Sequence, residues 1–224
     1  MMDMSLGKEA IDVLTALASA RSSRDSESAL LRARQVLGDL AKEFEPLLAT
    51  LASRSDELSH LQRLVTLDPL TGVANRRGFE QALGREISRQ QRTNEPFAVV
   101  MLDLDDLKRR NDSLGHAVGD AAIVATARAC EEVVRSTDLV ARLGGDEFAV
   151  LLPGTTMEGA QILAQRLRDS IEAMLVSGDP LRVSLGVAAS AHGPVLMHTL
   201  MAVADHELYR DKADRKLRAG LHAA

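Results

Sequence analysis

Arg142-Leu143-Gly144-Gly145-Asp146-Glu147-Phe148 is the stretch whose reading decides the fold. Short apolar runs flank it, Leu139-Val140-Ala141 before and Phe148-Ala149-Val150-Leu151-Leu152 after. Two β-like runs joined by paired glycines predict a hairpin, because glycine accepts the positive φ that a tight turn demands. Asp146 and Glu147 then stand side by side at the rim of a sheet. Taken alone, the string fits a solvated acidic turn as well as it fits a site. The rest of the chain decides.

Upstream, Pro96-Phe97-Ala98-Val99-Val100-Met101-Leu102 is a continuous apolar run, which predicts a central strand buried on both faces. It leads into Asp103-Leu104-Asp105-Asp106. A carboxylate at the exit of a buried strand is rigidly held, and a hard cation such as Mg²⁺ asks for oxygen ligands at fixed geometry. Asp105 and Asp106 also suit the cap of a following helical turn, and Asp106 is assigned that role. Lys108 fits a phosphate counter-charge or a solvated basic turn equally well. Asn111 and Asp120 offer complementary groups for a purine edge: an amide that donates and accepts, and a carboxylate that accepts two N–H bonds. Such a carboxylate selects guanine, since adenine leaves it unpaired. In isolation Asp120 reads first as a helix N-cap.

Composition removes other function classes. The 224 residues are 46% hydrophobic and 26% charged with a net charge of −5, which suits a globular protein and lacks the basic face of a nucleic-acid binder. Four Phe, one Tyr and no Trp leave little surface for stacking bases. Cys130 is the single cysteine, so no disulfide framework or thiolate metal cluster is available. The N-terminus lacks a leader pattern and no apolar run approaches ~18 residues, so the expectation is a soluble, cytoplasmic chain without a membrane partner.

Two regions are expected, a helical dimerisation or regulatory stalk over residues 1–66 and a catalytic domain over 67–224. Residues 5–20 predict a short helix, and the Ser/Asp-rich segment Arg21–Ser26 interrupts it and can cap a second. In that second helix Leu30, Leu37, Phe44, Leu51, Leu58 and Val65 fall seven apart, with Ala33, Leu40, Leu47 and Leu61 at companion positions. The repeat predicts a dimerising coiled coil or, alternatively, an intramolecular helical hairpin, with Pro46 expected to kink or interrupt the helix. Pro69 and Gly72 end it. Next come a helix from Arg76 to about Gln90 capped by Asn75, the buried strand, a helix over 121–134, the hairpin, a helix over 157–175, a strand over 181–188 and a helix from about Met197. This order predicts a mixed sheet flanked by helices.

The spacing of these groups resembles one family, the GGDEF-domain diguanylate cyclases, over about residues 66–220. The resemblance rests on Asp68-Pro-Leu-Thr-Gly72 with Asn75-Arg76-Arg77, Asp103-Leu-Asp105 with Lys108, and Asn111-Asp112 with Gly115-His116 and Gly119-Asp120. Arg142-Leu-Gly-Gly-Asp-Glu-Phe148, Ser184-Leu-Gly186, and Ala204-Asp205 with Leu208-Tyr209 and Lys212 complete it. It implies a nucleotidyl-cyclase-like α/β palm in which two domains, each with one GTP, make cyclic di-GMP and pyrophosphate. It implies Asp103, the Leu104 carbonyl, Asp146 and Glu147 as ligands of Mg²⁺ or Mn²⁺, two ions per half-site, with Asp146 or Glu147 as general base. Asn111 and Asp120 become the guanine readers, Leu107, Lys108, Lys212 and Lys216 the phosphate contacts, and Gly144 and Gly145 the substrate-side turn. Arg135 and Asp138 match the family's inhibitory product site, with Arg166 as an added arginine.

Three departures stand out. Leu107 replaces the usual Phe, Leu143 replaces the usual aromatic, and Arg215-Lys216-Leu217 stands where the family often has Gly-Arg-Asn. A catalytically silent receptor for cyclic di-GMP is the main rival reading; such members usually lose the hairpin acids, which this chain keeps.

Overall fold

The computed structural model describes Thr15 and residues 23–190 and 195–222, so the helix expected over 5–20 lies, but for Thr15, outside the described residues. The chain divides into two compact units, residues 1–62 and 63–224. In the first, the described chain is helical: α1 spans Ser23–Thr66. It continues through Pro46 without interruption, contrary to expectation, and the Thr50 hydroxyl donates to the Pro46 carbonyl at 2.8 Å. Of the heptad positions, Leu30, Leu37 and Leu51 are well over half exposed and Phe44 is partly covered. The side chains of Leu40, Leu58 and Leu61 lie outside the described residues.

The second unit is built on a five-stranded mixed sheet. Its strands are β1 (Ala74–Asn75), β2 (Phe97–Leu104), β3 (Leu139–Gly144), β4 (Glu147–Pro153) and β7 (Val183–Ala189), in the order β1-β3-β4-β2-β7. Only β1 and β3 run parallel. β2 is buried at all eight positions, because sheet neighbours flank it and helices cover both faces. Its even-numbered residues, Ala98, Val100, Leu102 and Leu104, pack with α4 (His116–Val133) and α5 (Met157–Glu172). Its odd-numbered residues Phe97, Val99 and Met101 pack with α2 (Arg76–Thr93) and α6 (Met197–His222). The period-two alternation therefore serves two cores, and Asp103 continues the odd row at the strand's end.

Local chemistry fixes the element ends. Asn75 caps α2 by accepting from the Gly78 N–H at 3.0 Å, as expected. The hairpin forms with a register shift between Arg142 and Gly144 and with Gly145 at φ 49°. Gly186 has a packing reason: a Cβ there would meet the Ala204 carbonyl at 2.0 Å, so only glycine lets α6 lie this close to β7.

Several expectations need correction. Of the two readings of Lys108, the solvated basic turn does not form, since Lys108 lies in α3 (Leu107–Leu114). Asp106 occupies the N-cap position of α3 without making a side-chain cap bond; its φ is 61° and its carboxylate faces Arg109 at 3.3 Å. Asp120 is not an N-cap, since α4 already begins at His116. The helix expected through residue 175 stops at Glu172, and a small hairpin follows, β5 (Leu175–Val176) and β6 (Asp179–Pro180). Its turn residues Ser177 and Gly178 both have positive φ, which suits a two-residue hairpin loop.

Candidate active site

β2 positions the site. Opposite Asp103 stand Glu147 on β4 and Ser184 on β7, so three polar residues meet where the sheet ends. The Leu104 N–H donates to the Asp146 carbonyl at 3.1 Å, which binds the hairpin tip to the strand exit. From the other side, α6 brings Lys212 to 2.6 Å from Asp103 Oδ2.

These approaches enclose a cleft of about 250 Å³. Of the expected site residues, Asp103, Leu104, Leu107, Lys108, Asp146, Lys212 and Lys216 all line it. Asp105, Asp106, Arg182 and Arg215 complete the lining. Burial pushes the Asp103 carboxyl above the usual carboxylate range; the Lys212 ammonium opposes that shift and the Asp146 charge adds to it. Asp105 is raised as well, chiefly by burial, against the Ser184 hydroxyl donating to it at 2.8 Å and the Arg215 charge.

The donors in this cleft fit a hard divalent cation. Lys212 already pairs with the buried Asp103, and the neighbouring Asp146 carboxylate and Leu104 carbonyl add oxygens of the kind Mg²⁺ takes. Among the described residues no three or more His, Cys, Asp or Glu groups form a metal-holding cluster. Glu147 stays outside the lining: it is exposed and sits 3.6 Å from Arg76.

The hairpin itself is clamped by two arginines that the sequence did not single out as site residues. Arg142 donates from Nε and Nη2 to the Gly145 carbonyl at 3.0 and 2.8 Å. Arg76 Nε donates to the Leu143 carbonyl at 3.1 Å. Arg142 also pairs with Asp68 at 3.2 Å. Burial alone would raise the Asp68 carboxyl, but bonds from the Thr71 hydroxyl and amide and from Arg142 hold it below the ordinary value.

Asn111 and Asp120 lie on α3 and α4, outside the cleft lining. The Asn111 Oδ1 is buried and has no hydrogen-bond partner. It rests on Gly119, where a Cβ would come within 1.8 Å of it. The amide thus needs the glycine beside it, and its buried acceptor is left without a partner. Asp120, next in the chain, is exposed.

Arg135 and Asp138 form a closed turn, with the Arg135 N–H donating to Asp138 Oδ2 at 2.9 Å and the Asp138 N–H to the Arg135 carbonyl at 3.0 Å. They border a separate hollow of about 370 Å³ beside Gly72 and Val73. Arg166, exposed on α5, does not line it.

The family model of the GGDEF diguanylate cyclase domain matches residues 65–218. The chain belongs to the GGDEF diguanylate cyclase family. Its GGDEF domain is 36% identical over 168 residues to the probable diguanylate cyclase DgcC of Escherichia coli, covering 73% of this chain and 45% of DgcC. It is 37% identical over 161 residues to the diguanylate cyclase DgcP of Pseudomonas aeruginosa, covering 69% of this chain and 24% of DgcP. The chain thus spans less than half the length of these relatives. Among solved structures, the diguanylate cyclase SiaD of Pseudomonas aeruginosa, in complex with its activator SiaC, matches with TM-score 0.63 at 32% identity, covering 94% of this chain and 85% of SiaD. The coiled coil and GGDEF domain of DgcB from Caulobacter crescentus, in complex with cyclic di-GMP, matches with TM-score 0.70 at 26% identity, covering 78% of this chain and 95% of that one. Among the described residues no helix is long and apolar enough to cross a membrane.

Proposed function

We propose that this protein is a diguanylate cyclase that condenses two GTP into cyclic di-GMP and two pyrophosphates. The observation that carries the reading is the convergence of Asp103, the Leu104 backbone, Asp146, Lys108 and Lys212 on one cleft at the end of β2. Carboxylates that suit a divalent cation and lysines that suit phosphates line the same cleft. Family membership and the relatives named diguanylate cyclase support the same activity.

In this account Asp103, the Leu104 carbonyl and Asp146 hold Mg²⁺ or Mn²⁺, with Glu147 joining once it leaves Arg76. When bound, the metal neutralises triphosphate charge and lowers the pKa of the attacking 3′-hydroxyl. The 3′-oxygen of one GTP bonds to the α-phosphorus of the other, the bond to the bridging α,β-oxygen breaks, and pyrophosphate leaves. Asp146 or Glu147 takes the hydroxyl proton. Lys108, Lys212 and Lys216 compensate the phosphates, Leu107 packs beneath them, and Gly144 and Gly145 let the hairpin approach without a side chain. The free Asn111 acceptor and the exposed Asp120 carboxylate read the guanine.

A single domain offers one half-site, so two must meet. The exposed heptad row of α1 supports dimerisation with a second copy, which raises the effective concentration of one half-site at the other. Residues 1–66 then serve as stalk and 67–224 as cyclase. The Arg135–Asp138 turn is the proposed seat of product inhibition, with Arg166 supplied from α5.

Incubation of the purified protein with Mg²⁺ and either GTP or ATP, with products resolved by chromatography, tests this reading. Cyclic di-GMP from GTP and no cyclic product from ATP is expected. Tight cyclic di-GMP binding without any turnover would favour the receptor reading instead.

A further inference from the structure

The proposed GTP site contains a cation that the phosphate contacts above leave unused. α6 presents Lys212, Arg215 and Lys216 at spacings of three and four, which puts all three on one helix face. All three line the cleft. Arg215 stands at the position where the family often carries glycine, so it is a feature of this chain.

Its environment is unusual for a structural ion pair. Arg215 Nη2 lies 2.5 Å from Glu172 Oε1 at the end of α5, and Nε lies 3.4 Å from Asp105 Oδ2 at the exit of β2. Two carboxylates from different elements therefore fix the guanidinium plane, while its side chain stays 25% exposed. They engage two nitrogens of a five-donor fork, leaving N–H groups for a third anion. The mechanical tie between α5 and α6 is made elsewhere: Arg168 pairs with Asp211 at 2.8 Å, and Asp211 also accepts from the Leu185 N–H at 2.9 Å. The Arg215–Glu172 pair lies four residues further along both helices, and Arg215 there lines the cleft.

Charge points the same way. Five cations, Lys108, Arg182, Lys212, Arg215 and Lys216, face four carboxylates, Asp103, Asp105, Asp106 and Asp146. The lining alone carries one excess positive charge, and Glu172 beside Arg215 balances it, so the cleft is rich in cations on a chain of net charge −5.

We propose that Arg215 is a further binding residue for the terminal phosphates of the nucleotide, with Glu172 as the residue that positions it. The inference rests on the GTP reading above and deepens it: Arg215 selects a triphosphate over a monophosphate.

The test is calorimetric binding to the full chain in Mg²⁺, with α,β-methylene GTP and GMP as probes. The wild type should bind the triphosphate analogue more tightly than GMP. Arg215→Ala should weaken the analogue by about 10- to 100-fold, the loss of a charge-assisted contact, and leave GMP affinity essentially unchanged. Arg215→Lys, which keeps the charge and loses the fork, should fall between. Glu172→Gln, which leaves the guanidinium in place with a weaker hold, should cost several-fold on the analogue alone. Equal losses for both ligands, or none in any variant, would overturn the assignment while the GTP reading stands. A wild type that binds neither nucleotide would overturn the GTP reading itself, and this inference with it.

Discussion

Arg142 and Asp68 form a half-buried ion pair at 3.2 Å that joins the turn after α1 to the β3–β4 hairpin. The same guanidinium holds the Gly145 carbonyl, and the Thr71 hydroxyl and amide hold the same carboxylate, at 2.7 and 2.9 Å. A residue of the turn that follows α1 therefore helps to hold the hairpin that carries Asp146.

Removing the Asp68 charge should cost stability in a pH-dependent way. Asp68→Asn is expected to lose about 2 kcal/mol at neutral pH, the scale of a hydrogen-bonded charged group. Because the folded carboxyl lies below its ordinary value of 3.8, its contribution is full above that value and fades as pH falls through the lowered one. Chemical denaturation of wild type and variant should show a gap at pH 7 that narrows below about pH 4. A gap independent of pH would contradict the pairing.

Lys212 neutralises a raised, buried carboxylate and faces the cleft, so its removal should act on substrate more than on fold. Lys212→Ala should raise the KM for GTP by about 10-fold or more, the value of a charge-assisted phosphate contact. Steady-state kinetics beside thermal melting would separate the two effects; a large fall in Tm with an unchanged KM would mean that the pair is structural.

Guanine selection should reside in Asp120 and Asn111. Asp120→Ala is expected to cut the preference for GTP over ATP by about 10- to 100-fold, since a charged acceptor of two N–H bonds is lost. Gly119→Ala should act alike without touching the nucleotide, by displacing the Asn111 amide. Competition binding with GTP and ATP reads both.

Cys130 should be silent. Burial pushes its thiol up to about 12, and it sits on α4 in the core against the sheet. Alkylation by iodoacetamide should follow global unfolding; rapid labelling of native protein would contradict the packing.

Much of this was legible in the sequence, for physical reasons. β2 declared itself because a strand covered on both faces must be apolar without interruption, and Asp103 stood out as the carboxylate that ends it. The hairpin was legible from its paired glycines. α3 was not, because only Leu107 of its eight residues is buried and the rest read as a polar turn. The start of α4 was hidden by Gly119, which looks like a helix breaker and is in fact the space Asn111 occupies. Ser184 carried a usable signal, a polar residue inside an apolar strand; its hydroxyl bonds Asp105. Arg76, Arg142 and Arg215 stood in or beside the motifs, but a long cation there says nothing of which carbonyl or carboxylate it will reach.

In the proposed reaction two copies of the cleft at the end of β2, each holding one GTP, meet to join them. The most direct measurement is the stoichiometry of the reaction in Mg²⁺ with the wild type, Asp103→Asn and Asp146→Ala, each first shown to be folded by circular dichroism. The account predicts two pyrophosphates per cyclic di-GMP from the wild type and a loss of about 100-fold or more in each variant, as expected when electrostatic groups at the reacting centre are removed. Undiminished turnover in either variant would contradict it.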